Sequence, residues 1–455
     1  GGRGMNTDEL YQLTRQEIKQ REEEGCDVSG LREKHAATAE LEDPAKREAS
    51  ESLLAELEDL TPNPKYVEPS DLAAIGEQRP DGPRRMQNLF STEDLFTRTY
   101  GAWLGRCAGC LLGKPVEGWA RAEIRAVAEP DGNYPLADYF AAVTQPVGRR
   151  ALASTNPCLR GQITRMERDD DIDYTVAGLL LLERHGYDFT TEDVAGFWLA
   201  ELPFHKVYTA ERVAYRNLVA GVPPSEAGGH RNPCREWIGA QIRADSLGYA
   251  CPGWPEGAAE LAYRDAYVSH RKNGIYGEML VAAMIAAAFV EPDAATIIEI
   301  GLSEIPEASR LAEAVRRVVK WWHETEEWES VADHIDEHYG DLQGCHTITN
   351  AAIVVLGLLA GAEDFTAGIA ASIMPGYDTD CNGATVGSIL GARCGADGLP
   401  AHWVEPLNDR LATIIASVHE ARISDMARRT VRLVEGDLGE SAVGGAVEPI
   451  TWGVS

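Results

Sequence analysis

Basic residues are scarce in this chain of 455 residues, since 42 Lys and Arg stand against 72 Asp and Glu. The resulting formal charge of −30 leaves no broad positive surface for a nucleic-acid backbone or an anionic membrane. A small phosphorylated ligand is still permitted, because one or two arginines or a helix N-terminus are enough to bind it. We therefore expect neither a nucleic-acid polymer nor a membrane as a partner.

Long apolar runs are also missing. The longest, VAAMIAAAFV from Val281 and AAIVVLGLLAGA from Ala351, are shorter than the roughly 20 residues that span a bilayer. The opening residues, GGRGMNTDEL, lack the basic and then apolar pattern of a signal peptide. The 9 cysteines are odd in number and scattered, which favours reduced thiols over a disulfide framework. These observations predict a cytoplasmic protein.

Strand patterns are few, and neither the dinucleotide fingerprint G-x-G-x-x-G nor the phosphate-binding loop G-x-x-x-x-G-K-[ST] occurs. Helical periodicity dominates instead, and the many small residues predict helices that pack closely. We predict an acidic helical N-terminal extension with a Pro/Gly-rich linker over 1–85, and one compact domain over 86–455. The predicted fold class is all-α. The extension is expected to bind either a partner or the chain's own domain.

Two acid-rich segments, MERDDDIDYT and GYDTDCNG, each precede a helix of apolar or small residues. Their acids are Asp169, Asp170, Asp171 and Asp173 in the first segment and Asp378 and Asp380 in the second. Helix capping explains one or two acids per segment, since each stabilises a first turn by about 0.3–1 kcal/mol. The first segment exceeds that need, and clustered carboxylates suit Mg²⁺ or Ca²⁺. Together the segments predict a two-metal site if their helices are neighbours.

Three motifs, in order between about residues 97 and 430, resemble the ADP-ribosylglycohydrolase family, to which the dinitrogenase reductase-activating glycohydrolase belongs. YGAWLGRCAGCLLGKPVEGW resembles the family's opening helix and loop, and Glu117 falls on its mobile acidic residue. DDDIDYT resembles Thr-Asp-Asp-Thr, and GYDTDCNGATVGSILGA resembles Gly-Asp-Thr-Asp-Thr. The metal ligands implied by this resemblance are Asp169, Asp170, Asp171, Asp378 and Asp380.

The resemblance implies hydrolysis of an N- or O-glycosidic bond at the anomeric carbon of ADP-ribose or a related riboside, protein-linked or small. It implies two Mg²⁺ ions, with Mn²⁺ or Ca²⁺ as alternatives. An oxocarbenium-like transition state needs nearby negative charge, a positioned water and a base. Candidate catalytic residues are Glu117, Asp171 and Asp378, and the base stays open among the carboxylates.

Six residues are candidate substrate contacts. The segment SHRKNGIYGEM resembles the family's Gly-Asn-Gly-Ala loop, which implies contacts to ribose and phosphates. His346 precedes an apolar helix, and Gly376 opens the third motif. The candidates are Asn273, Gly274, Tyr276, Gly277, His346 and Gly376.

Three residues depart from the family pattern. Cys110 stands where Asp is usual, Asp169 where Thr is usual, and Cys381 where a metal-binding Thr belongs. A thiol is a poorer Mg²⁺ ligand than a hydroxyl, so the chain resembles a divergent subgroup. Two alternatives stay open: a hydrolase of a small N-riboside or NAD-derived metabolite, and a non-catalytic ADP-ribose-binding module. Clustered acids argue against the module, because they are costly to hold together without ions.

Two further motifs compete with this interpretation. The residues His334-Ile-Asp-Glu337-His338 match the H-x-x-E-H pattern of a class of zinc peptidases. Their charged surroundings, however, are typical of a solvated helix face. Cys107 and Cys110 have the C-x-x-C spacing of a redox or zinc pair, but they lie in an apolar helix without a second pair, which predicts buried structural thiols.

Overall fold

The computed structural model describes residues 5–87, 90–147 and 150–436. The predicted ranges 1–85 and 86–455 therefore include some residues outside the described ones, among them 437–455. Within the described residues the fold is all-α, as predicted: apart from two small antiparallel hairpins, the regular structure is helical. No helix in this part of the chain is long and apolar enough to cross a membrane.

The described residues of the N-terminal extension, from Met5 onward, contain four helices. They are α1 (Thr7–Glu23), α2 (Leu31–Thr38), α3 (Ala45–Glu58) and α4 (Leu72–Gln78). Asn6 caps α1 through a reciprocal pair of hydrogen bonds with Glu9, which satisfies two of the free amides at the helix start. Leucines of α1 and α3 form a small apolar core with Val28 and Leu31, separate from the main one. Ile75 of α4, by contrast, belongs to the main core of the chain.

The rest of the described chain forms a multi-helix body around one large core. Its helices are α5 (Thr92–Gly113), α6 (Arg121–Ala128), α7 (Asp170–His185), α8 (Thr191–Glu201), α9 (Thr209–Val219), α10 (Pro224–Ala227), α11 (Asp245–Tyr249), α12 (Pro255–Ala266), α13 (Asn273–Ala288), α14 (Ala294–Leu302), α15 (Arg310–Thr325), α16 (Trp328–Tyr339), α17 (Thr347–Ala360), α18 (Phe365–Ile373), α19 (Thr379–Cys394), α20 (Ala401–Val404) and α21 (Ile423–Val434). Strands β1 (Val143–Val147) and β2 (Arg150–Leu152) form one hairpin, and β3 (Arg410–Ile415) and β4 (Val418–Arg422) form the other. Every residue of α13 is buried, which places this apolar helix at the centre of the body.

Close packing of α5 on α19 depends on glycines spaced four residues apart. A Cβ added at Gly109 would lie 1.9 Å from the carbonyl oxygen of Gly383, and one at Gly105 would lie 2.1 Å from that of Gly387. The two backbones therefore touch, which residues with side chains would prevent. At the end of this contact, the Thr379 hydroxyl donates to the carbonyl of Gly113 over 2.8 Å. The end of α5 is thus held beside the acidic start of α19.

We expect Gly109→Ala to destabilise the protein by about 3 kcal/mol, at the upper end of the cost of overpacking, because the new methyl group meets backbone that cannot move aside. Gly196→Ala in α8 is the matched control, since a Cβ there meets no atom within 4 Å. The control should be neutral or more stable by up to about 1 kcal/mol. Urea unfolding of both variants checks this, and equal stabilities would contradict the packing argument.

Candidate active site

Three segments supply the candidate catalytic side chains. The turn after α5 carries Glu117, the start of α7 carries Asp169 to Asp171, and the start of α19 carries Asp378 and Asp380. Asp169 caps α7, because its carboxylate accepts from the backbone amide of Asp171 over 3.1 Å. The capping role expected for one acid is therefore present. The two acid-rich helix starts are neighbours, which is the condition on which the predicted two-metal site depended.

Side chains of these segments, together with Cys110 of α5, form three groups in which the ligand atoms all lie within 4.8 Å of one another. We call them the outer triad (Glu117, Asp378, Asp380), the middle triad (Asp171, Asp380, Cys381) and the inner triad (Cys110, Asp169, Asp171). Asp380 is shared by the outer and middle triads, and Asp171 by the middle and inner ones. The groups thus run from the exposed Glu117 into the interior, where Asp171 and Cys110 are both 0% exposed.

The donor atoms fit divalent cations. Oδ1 of Asp380 is buried and has no hydrogen-bond partner among the described residues, an arrangement that is costly for a bare carboxylate. Burial, together with the charges of Asp169 and Asp378, raises the pKa of Asp380 well above its usual value. Burial likewise raises the pKa of Asp171, despite the opposing charge of Arg106. A bound cation would compensate both carboxylates.

Arg106 positions Asp171, and sequence reasoning missed it. Its fully buried guanidinium donates to the backbone oxygen of Asp171 over 2.9 Å and to Oδ1 of the same residue over 3.2 Å. It also donates to the Thr175 hydroxyl over 2.6 Å and pairs with Asp245 at 2.9 Å. The signal that could have found it is one arginine inside the otherwise apolar helix GAWLGRCAGCLLG.

Lys114 is the second residue that sequence reasoning missed. Its ammonium group forms an ion pair with the Asp169 carboxylate, so Asp169 already has a cationic partner.

Asp170 lies beside Asp169, and burial, followed by the charge of Asp169, raises the pKa of Asp170 well above normal. Asp170 is in none of the three triads, although sequence reasoning grouped it with the metal ligands. Asp173 is bound to Arg168 at 2.6 Å and accepts from the amide of Ile414, which gives it a structural role.

A cavity of about 500 Å³ opens beside the outer triad. Glu117, Trp119, Cys345, Tyr377 and Asp378 are among its lining residues. Although Glu117 is exposed at the cavity mouth, partial desolvation by the surrounding protein, and then the charges of Asp378 and Asp169, raises its pKa to about 7. A larger cleft of about 790 Å³ lies elsewhere, between α1 and residues such as Arg216, and contains none of the triad residues.

The rim of this cavity is built from α6, α16 and the loop before α19. Arg121 pairs with Asp333 at 2.5 Å and with Asp336 at 2.6 Å, and the Tyr377 hydroxyl donates to Asp336 over 2.6 Å. Gly376 adopts a φ of +91°, and a Cβ there would lie 2.4 Å from the carbonyl oxygen of Trp119. Gly376 therefore serves the close approach of two cavity-wall segments.

The loop at the start of α13 does not line this cavity. Nδ2 of Asn273 donates to Glu68 of the extension and to Glu236, each over 2.8 Å, and the Tyr276 hydroxyl donates to the carbonyl of Pro69. Gly274 packs against the carbonyl of Arg235, and Gly277 against Thr347. The structure thus brings Asn273 and Tyr276 to the extension, and Gly274 and Gly277 to other parts of the main body, rather than any of the four to the carboxylates of the triads. Their role in substrate binding stays a prediction.

His346 caps α17 and lies next to the cavity-lining Cys345. Its Nδ1 accepts from the amide of Ile348 over 3.2 Å. Burial lowers the pKa of His346 to about 4, although the charge of Glu236 opposes this shift. The imidazole is therefore neutral at pH 7.

The two competing motifs lie in α5 and α16. Cys107 and Cys110 are buried free thiols in α5, as predicted, and burial raises the pKa of each. His334, Glu337 and His338 lie on one face of α16, with potential ligand atoms within 4.8 Å of one another. Glu337 and His338 are exposed, which is the solvated helix face expected from their surroundings.

Comparisons with known proteins define the class. The family model described as ADP-ribosylglycohydrolase matches residues 91–437, which is more than half of the chain. The chain therefore belongs to the ADP-ribosylglycohydrolase family, as its three motifs suggested, and is a hydrolase that acts on glycosyl bonds. This family is metal-dependent.

One solved structure similar to this chain is titled "ADP-ribosylglycohydrolase-related protein complex". It aligns with a TM-score of 0.50 and 20% identity, over 75% of this chain and 99% of the other. At this identity the likeness concerns the fold alone. No curated protein matches this chain.

Proposed function

We propose that this protein hydrolyses the N- or O-glycosidic bond at the anomeric carbon of ADP-ribose or a related riboside, with two divalent cations held by the outer and middle triads. The proposal depends mainly on the position and the environment of Asp380. Its carboxylate is shared by both triads, and its Oδ1 is buried without a hydrogen-bond partner among the described residues. The residues of the outer and middle triads, Asp380 among them, would hold the two ions beside the ligand cavity.

The cations would orient ribose hydroxyls and lower the pKa of a water molecule when bound. Arg106 fixes Asp171 in the interior of the protein, so the role of Asp171 is to hold a cation rather than to transfer a proton. Glu117 is the one carboxylate of the outer triad that is exposed, and it lines the cavity. As the outermost carboxylate of the triad, Glu117 is the best placed to accept a proton from water and return it to a leaving group. Asp378 supplies negative charge beside a developing oxocarbenium ion.

Two substrate classes fit this proposal: ADP-ribosyl compounds and small N-ribosides. The cavity of about 500 Å³ is large enough for a riboside and part of its aglycone. Arg121 is the single basic residue among the lining residues, and its guanidinium is already paired with two aspartates. This scarcity of free positive charge favours a small N-riboside as the second candidate substrate. A diphosphate would need to displace those aspartates from Arg121.

Turnover assays on ADP-ribosylated peptides, ADP-ribose and nicotinamide-type ribosides, with Mg²⁺ or Mn²⁺, test the proposal. Glu117→Gln should lower kcat by about 10²- to 10⁴-fold, the range expected for loss of a general base. Glu363→Gln, at an exposed site outside the cavity, is the control and should leave kcat unchanged. Metal binding without turnover of any riboside would favour the binding-module alternative. A kcat within fivefold of wild type in Glu117→Gln would exclude Glu117 as the base.

A further inference from the structure

The middle triad contains a sulfur atom among its ligand atoms. Cys381 lies in the first turn of α19 and is only 7% exposed. Its Sγ donates to Oδ2 of Asp171 over 3.2 Å, and both groups lie within 4.8 Å of an Asp380 oxygen. The outer triad, by contrast, consists of carboxylates alone. The two triads that share Asp380 therefore offer different chemistry to an ion.

We propose that the middle triad selects a borderline divalent ion of the Zn²⁺, Fe²⁺ and Co²⁺ class, bound through the Cys381 thiolate, while the outer triad takes Mg²⁺ or Mn²⁺. This inference rests on the proposed metal-dependent function. Thiolates favour borderline ions, whereas Mg²⁺ demands oxygen ligands in near-ideal octahedral geometry and loses its water reluctantly. Mixed carboxylate and thiolate ligands therefore fit Zn²⁺, Fe²⁺ or Co²⁺ better than they fit Mg²⁺.

The surroundings of Asp171 support this assignment. Arg106 binds Oδ1 of Asp171 over 3.2 Å, so Oδ2 is the oxygen turned toward Cys381. Such an outer contact orients a ligand and is typical of metal centres. The unpartnered Oδ1 of Asp380 supplies a further free donor atom. A thiol, a carboxylate oxygen fixed by an arginine and a free carboxylate oxygen thus converge in a buried site.

When the ion binds, the Cys381 thiol exchanges its proton for the metal ion. The S–H bond of Cys381 breaks, its electron pair forms the sulfur–metal bond, and the proton leaves to solvent. The hydrogen bond from Sγ to Asp171 is lost, and Oδ2 of Asp171 becomes available to the ion. No oxidant or reductant takes part.

Cobalt substitution tests the thiolate directly, without an activity assay. Wild type with bound Co²⁺ should show a thiolate-to-cobalt charge-transfer band in the near ultraviolet, and Cys381→Ser should lose it. Cys107→Ala, Cys110→Ser and Cys345→Ser are the controls and should keep the band, because the middle triad contains none of these residues. Cys381→Ser should also lower the ratio of Zn²⁺ to Mg²⁺ affinity by at least about tenfold.

A band that persists in Cys381→Ser, disappears in one of the control variants, or is absent from Co²⁺-loaded wild type would overturn the inference. Far-ultraviolet circular dichroism checks that Cys381→Ser folds, and Cys381→Thr is a second variant with the same expected loss. If Co²⁺ binds without the band and ribosides are still hydrolysed, the thiolate assignment fails alone. If no divalent ion binds at all, the proposed function fails with it.

Discussion

Asp380→Asn is expected to reduce turnover by at least about 10³-fold and, at the same time, to stabilise the metal-free protein. Asp380 belongs to both the outer and the middle triad. Its substitution should therefore lower activity by more than the 10- to 100-fold that is typical when a residue contacting a metal ligand is replaced. Without a cation, its carboxylate is buried among other acids and has an unpartnered oxygen. Removing that charge should stabilise the metal-free fold by about 1–3 kcal/mol.

The pH dependence of this stabilisation has a definite sign. The folded pKa of Asp380 is raised by burial and by Asp169 and Asp378, so the protonated form is favoured in the folded state. The stability that protonation contributes is complete below the unfolded pKa of about 3.9 and is lost as the pH rises through the folded value. Asp380→Asn should therefore exceed wild type in stability by more at pH 7 than at pH 4.

Chelator-treated protein unfolded in urea at several pH values measures this difference. Asp397→Asn, at an exposed site outside the triads, is the matched control and should behave as wild type throughout. A metal-free Asp380→Asn protein less stable than wild type at pH 7 would show that the carboxylate has a compensating partner. Turnover within tenfold of wild type would remove Asp380 from the metal site.

Arg235→Met is expected to lower the free energy of unfolding by about 3–5 kcal/mol, the cost of removing one partner from a buried ion pair. Arg235 donates two hydrogen bonds of 2.9 Å to Glu17 and two, of 2.5 and 3.1 Å, to Glu24, so it ties the extension to the main body. Burial alone would raise the pKa of Glu24, but Arg235 and then Lys272 outweigh it and hold this pKa near 2. The substitution would leave buried carboxylates without their main counter-charge.

Arg32→Met is the control, because the ion pair of Arg32 with Glu22 is exposed on both sides and should contribute less than about 1 kcal/mol. Urea unfolding and limited proteolysis of the extension provide the measurements. Since the folded pKa of Glu24 lies below its unfolded value of about 4.3, its contribution is present above that value and is lost toward pH 2. Equal losses in the two variants would mean that the Arg235 network contributes little.

This link also reaches the candidate active site. Glu23 of α1 accepts from the amide of Gln343 over 2.8 Å, and Lys19 donates to the carbonyl of Asp341 over 3.0 Å. Gln343 lines the cavity beside the outer triad. Of the two roles expected for the extension, packing on the chain's own domain is therefore observed. Through α1 the extension helps to hold one wall of the cavity.

The sequence by itself determined the family and the all-α class, and it located the two acid-rich helix starts, but it left open whether those starts meet. Helical periodicity, caps and Asp clusters are local patterns, so they can be read without knowing which helices touch. The buried state of Cys107 and Cys110 was likewise predictable, because apolar neighbours surround them in the sequence.

Only the tertiary structure decided which side chains compensate the acids and where the α13 loop lies. Arg106 and Lys114 reach Asp171 and Asp169 from α5 and its end, across more than 50 intervening residues. Asn273 turns to Glu68 of the extension, more than 200 residues away. Such contacts depend on how elements far apart in the sequence pack against one another. Local patterns specify the helices, but the pairing of charges is settled only when those helices pack.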